Sequence, residues 1–103
     1  MATAISITEI LGTIRDESVE ICATADAEYD PATEVVAVTL GAFARRISTA
    51  GDGQHLPEPW LPRQERIVEH LPRCDADDFA KDVFKSWTKK VRAAVPPELG
   101  LKA

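Results

Sequence analysis

The stretch Val35-Val36-Ala37-Val38-Thr39-Leu40-Gly41-Ala42-Phe43-Ala44 carries no charge and is bounded by Glu34 on one side and by Arg45 and Arg46 on the other. A run this apolar has to be covered by other parts of the chain, by a second copy, or by a partner. Two local conformations compete for it. The β-branched residues of Glu34–Leu40 fit a buried strand. Against that, Val36, Leu40, Phe43 and Ile47 recur at helical spacing, and the pattern runs on into Arg45 and Arg46, cations suited to the C-terminal end of a helix dipole. The longer pattern predicts a helix over about 31–49, with Asp30 as its N-cap and Pro31 in its first turn.

Toward the amino terminus, Ser6-Ile7-Thr8-Glu9 reads as a capping box, with Ile5 and Ile10 placed as a hydrophobic staple. Ile7, Ile10, Leu11, Ile14, Ser18, Ile21, Cys22 and Ala25 share one arc of a helical wheel, which predicts a helix over about 7–28. Pro31 stops it, because the residue before a proline is pushed away from helical angles. Toward the carboxyl terminus, Gly51, Gly53, Pro57 and Pro59 mark a mobile loop over about 50–60. A short helix over about 62–71 follows, with Ile67, Val68 and Leu71 as its apolar residues and Pro72 as its stop. Asp75 caps a last helix over about 76–94, with Phe79, Ala80, Val83, Phe84, Trp87, Val91 and Ala94 on one face. Pro96-Pro97 ends it and leaves a loose tail over 96–103. The expected architecture is all-α: a single helical domain over 1–103, built as a compact bundle of four helices with the third one short.

Composition narrows the classes of function. With 103 residues the chain is one domain, and 45% hydrophobic residues fit a folded protein. The net charge of −5 argues against bulk nucleic-acid binding, which works by neutralising phosphates. All of that charge lies in residues 1–50, where eight acids meet Arg15, Arg45 and Arg46, whereas acids and bases balance in 51–103. The first cation is Arg15, so the amino terminus does not read as a secretory signal, and no apolar run is long enough to span a membrane. The expectation is a cytoplasmic protein in which Cys22 and Cys74 are reduced thiols.

Residues with chemical potential each have a structural alternative. Lys81, Lys85, Lys89 and Arg92 line up along one face of the last helix, as a footprint for an acidic partner or nucleic acid, or as a solvated face offset by Asp78 and Asp82. Trp60 and Leu61 are apolar anchors for a partner, or a lid folded back on the core. His70 lies near Glu65 and Glu69, but the spacing matches no zinc or di-iron pattern, and Cys22 and Cys74 have no metal or redox spacing. Phosphate-loop and nucleophile-elbow patterns do not occur. Neither a catalytic residue, a metal site nor a cofactor is expected.

These features imply a small non-enzymatic protein-protein interaction module: an accessory, adaptor or inhibitor subunit that binds a protein partner, self-associates as a homodimer, or both. Val35, Val38, Leu40 and Phe43 of the apolar stretch, with Trp60 and Leu61, are its candidate contacts; the same stretch also suits a central helix wrapped by the other three. The alternative is a nucleic-acid-binding regulator that uses Lys81, Lys85, Lys89 and Arg92. No membrane contact is expected.

Overall fold

Alternation, interrupted at Leu11 and Cys22, and not helical periodicity, governs the first half of the chain. In Val19-Glu20-Ile21-Cys22-Ala23-Thr24-Ala25 the odd positions are buried, and in Val35-Val36-Ala37-Val38-Thr39-Leu40 the even ones are, which is the period of a strand with one face on a core. The computed structural model describes residues 3–15, 17–47 and 55–102. Three strands of 12 residues each follow one another: β1 (Thr3–Ile14), β2 (Val19–Asp30) and β3 (Val35–Arg46). Two shorter strands, β4 (His55–Leu56) and β5 (Glu65–His70), pair with opposite ends of β3. All pairings are antiparallel, and β1 and β5 lie at opposite edges of the sheet. Among the described residues a single long helix, α1 (Arg73–Ala94), crosses one face, and a short 3-10 turn (Pro97–Leu99) follows it.

The all-α four-helix bundle is therefore corrected to an antiparallel sheet covered on one face by one helix. Among the described residues the expected helices 7–28, 31–49 and 62–71 are replaced by strands and the turns between them, with 16, 48 and 49 outside the described residues; of the four expected helices only 76–94 is helical, and it begins three residues earlier, at Arg73. The reason lies in a β-bulge. Ile10 pairs with Cys22 and Gly12 with Ile21, so Leu11 is an extra residue. One inserted residue turns the two-residue period of Ile5 and Ile7 into the spacing Ile7, Ile10, Leu11, Ile14, which imitates a helix. The apparent capping box is a cross-strand contact: the Ser6 hydroxyl donates to Asp26 Oδ1 at 2.6 Å. Asp30-Pro31 is turn chemistry, with Asp30 Oδ1 accepting from the Ala32 amide at 2.9 Å and Glu34 in the left-handed region at φ 53°.

Between sheet and helix lies the core. Ile21, Ala23, Ala25 and Tyr29 of β2 and Val36, Val38, Leu40 and Ala44 of β3 meet Ala76, Trp87 and Val91 of α1, all buried. Each such side chain contributes about 1.5–3 kcal/mol when large. The row of alanines in β2 lets α1 lie close to the sheet. The tail expected to be loose is tied down: Thr13 and Lys102 exchange both backbone hydrogen bonds, at 2.8 and 2.9 Å. Gly12 permits this approach, since a Cβ there would sit 2.3 Å from the Lys102 carbonyl oxygen. Of the loop expected to be mobile, 50–54 lies outside the described residues, while His55 and Leu56 pair with Arg45 and Ala44. No described helix is long and apolar enough to cross a membrane.

Candidate functional site

Among the described residues, the outer edge of β1 has no partner strand along Ala4–Leu11; its first cross-link on that side is Thr13 to Lys102. An edge of this kind presents unpaired N–H and C=O groups and is normally guarded by lysine, proline or a short length. Between Ala4 and Leu11 there is no proline and no lysine, and Glu9 is the single charge. The bulge at Leu11 ends the regular part. Two large apolar side chains of this strand, Ile5 and Ile10, are 46% and 55% exposed.

Beside this edge runs one flank of α1. Ile7, Thr8 and Glu9 of β1 and Lys81, Phe84, Lys85, Thr88 and Arg92 of α1 line an open groove. Phe84 and Thr88 form the floor; Thr88 is 4% exposed, and its hydroxyl donates to the Lys85 carbonyl at 2.8 Å. Ile7 and Glu9 face the helix side, because they oppose the buried Ala25 and Ala23. The described ion pairs are Arg15–Glu58, Arg45–Glu20 and Lys90–Glu65, so among the described residues Lys81, Lys85 and Arg92 have no carboxylate bound to them. Three cations on one flank repel one another and draw in negative charge. Lys89 is exposed on the same helix but lies outside the groove.

The opposite flank of α1 is closed by its own charges. Leu40, Ile67, Val83 and Trp87 form a second, more apolar groove toward β5. Lys90 bridges it to Glu65 and rests 5.5 Å from the Trp87 ring. The edge strand on that side is short and reads Glu-Arg-Ile-Val-Glu-His, the charged composition of a protected edge.

The sequence-derived apolar contacts separate onto different surfaces. Val38 and Leu40 are 0% and 1% exposed in the core, so they form no outward surface. Val35 and Phe43 point to the uncovered face of the sheet and are half-buried. The Phe43 ring stacks on His55 with centroids 4.4 Å apart, and the Arg45 guanidinium lies 5.9 Å from it. Arg45 also donates to Glu20 at 2.9 Å, which raises the arginine pKa. Buried on this same face is Cys22, and burial pushes its thiol up, with Arg45 opposing. Trp60 and Leu61 fold back and pack on the core from a turn closed by the Leu61 amide on the Glu58 carbonyl. On β5, Glu65 and Glu69 share the helix side and His70 takes the other, so the strand parts that trio.

Sequence reasoning missed the β1 edge and the groove residues Ile7, Glu9 and Phe84. The signal was present in the alternation of Val19–Tyr29, broken only at Cys22, which marks a strand, and Thr3–Ile14 is the segment that pairs with it. Compared with protein-family models, curated proteins and solved structures, the chain matches none.

Proposed function

We propose that this protein is a small non-enzymatic interaction module that takes hold of a partner protein by adding a strand to the outer edge of β1. The observation that carries this reading is the unguarded run Ala4–Leu11, a regular edge on a sheet whose other edge is short and charged. Strand addition draws its affinity from main-chain hydrogen bonds and its specificity from alternate side chains. An accessory, adaptor or inhibitor role fits a chain of this size, which offers a long binding edge. A cytoplasmic setting belongs to the same proposal, since Cys22 and Cys74 are free thiols.

The test is a tagged pull-down from the native host, treated with nuclease in parallel, using the wild-type chain and an Ile5→Lys, Ile10→Lys variant. Both isoleucines are exposed, so the lysines guard the edge and leave the core intact. One stoichiometric protein that survives nuclease and is lost from the variant supports the proposal. Equal retention by the variant, or recovery of nucleic acid alone, refutes it.

A further inference from the structure

From the groove beside β1 we infer the chemistry of the partner: an extended acidic segment, with a carboxylate at every second position, that pairs with Ala4–Leu11 and points those carboxylates at Lys81, Lys85 and Arg92. The inference rests on strand addition at β1 and specifies what is added.

Geometry and charge argue for it together. The first turn of α1 lies by Ile5, where Arg73, Ala76 and Asp77 share a small cavity with that residue, and the chain beyond α1 reaches Thr13 at the other end of β1. The helix therefore runs alongside the strand. A strand added outside β1 directs alternate side chains to the helix side, about 6.7 Å apart. The helix offers Lys81 and Lys85 four residues apart, a rise of about 6.0 Å. Acids on alternate positions thus keep step with these two cations. Arg92 lies about 10 Å farther along the axis and meets a later acid of the same strand. Phe84 gives the carboxylate stems an apolar surface to pack on.

A second copy of the chain fits this site poorly. Antiparallel pairing of β1 with its own copy keeps both helices on one side of the joined sheet and turns the Lys81–Lys85–Arg92 flanks toward each other. Each flank carries three cations against Glu9, so self-pairing sets like charge against like.

The test uses the full chain and synthetic peptides, read by fluorescence anisotropy. The probes are a labelled acetyl-Thr-Glu-Val-Glu-Thr-Glu-Val amide, the same peptide with glutamine for glutamate, the acidic peptide with alternate amides N-methylated, and a single-stranded DNA oligonucleotide. The expected result is that the acidic peptide binds at least about tenfold tighter than the glutamine peptide, and weakens steeply between about 50 and 300 mM salt. N-methylation abolishes binding, because a strand without alternate N–H donors cannot complete the ladder. A Lys85→Glu, Arg92→Glu variant, altered at exposed positions, loses the preference for the acidic peptide and keeps the weaker binding of the glutamine peptide. Equal affinity for the acidic and glutamine peptides overturns the acid specificity while leaving strand addition standing. Indifference to N-methylation, or no peptide binding, overturns both. Tighter binding of the oligonucleotide with the same loss in the double variant assigns the groove to nucleic acid, and a dimer in sedimentation that Ile5→Lys, Ile10→Lys dissociates assigns the edge to a second copy; each overturns the inference.

Discussion

The indole N–H of Trp87 donates to the main-chain carbonyl of Gly41 at 2.8 Å, joining the middle of α1 to the middle of β3. The position of Gly41 explains why this bond is needed. Pairing of β3 with β5 ends at Leu40, and pairing with β4 begins at Ala44, so Gly41–Phe43 face a gap on that side of β3. The indole reaches the gap from the helix and satisfies a carbonyl there, while its ring stays 2% exposed in the core. Replacing the indole by a phenyl ring removes the donor together with some buried volume and leaves that carbonyl without its partner. Trp87→Phe is expected to destabilise the fold by about 1–3 kcal/mol, measured by urea unfolding followed by circular dichroism. A loss below about 0.5 kcal/mol would mean that water replaces the indole at no cost.

Gly12 is the hinge of the C-terminal strap. An alanine Cβ at this position falls 2.3 Å from the Lys102 oxygen and 2.8 Å from its carbonyl carbon, and both are backbone atoms that cannot turn aside. Gly12→Ala is expected to cost about 1–3 kcal/mol and to release the Thr13–Lys102 bridge. Hydrogen exchange checks it: the Thr13 amide should lose protection, while the Ala25 amide keeps it. If Thr13 stays protected, the strap does not depend on this glycine.

Alternation along the sheet predicts opposite outcomes for two valines. Val38 is fully buried under α1, whereas Val68, on the uncovered face, is 54% exposed. Val38→Asp places an unpaired carboxylate in the core and should cost at least about 4 kcal/mol. Val68→Thr should change stability by less than about 0.5 kcal/mol. Similar losses in both, measured by urea unfolding, would contradict the register of β3 and β5.

The two thiols should separate cleanly. Cys74 is exposed and Cys22 buried, so an aromatic disulfide reagent should titrate one thiol in the native chain and both after unfolding. Burial raises the Cys22 pKa, Arg45 lowers it by a smaller amount, and Glu20 adds a little to the rise. Between the ordinary thiol value of about 8.5 and that higher folded value, the unfolded chain releases a proton that the folded chain keeps. Stability therefore falls as pH rises through this window and is unaffected by the thiol below it. Cys22→Ala should flatten the decline, whereas Cys74→Ala should not; equal slopes in urea unfolding at a series of alkaline pH values would refute the assignment.

The last helix was legible in the sequence because nothing interrupts its period. Phe79, Val83, Trp87 and Val91 recur every four residues, and the sheet covers the face they define. The first three elements were misread for two local reasons. The bulge at Leu11 disguised strand alternation in β1 as a helical stripe, and the side-chain chemistry of Asp30 serves a turn as well as a helix start. For Val35–Ala44 both patterns were present. The β-branched residues Val35, Val36, Val38 and Thr39 favoured the strand, whereas Phe43 and Ile47 extended Val36 and Leu40 at helical spacing.

By itself the sequence determined that the chain has apolar residues enough for a core, that residues 76–94 form an amphipathic helix, and that this helix carries a row of cations. These are properties of composition and local period. Only the tertiary structure decided which side of each strand is inside, which strand is left at the edge, and that the edge lies beside Lys81, Lys85 and Arg92. Those outcomes depend on pairings between segments far apart in the chain. A short apolar segment has nearly equal local preferences for helix and strand, and the hydrogen bonds and buried area gained from such distant partners select between them.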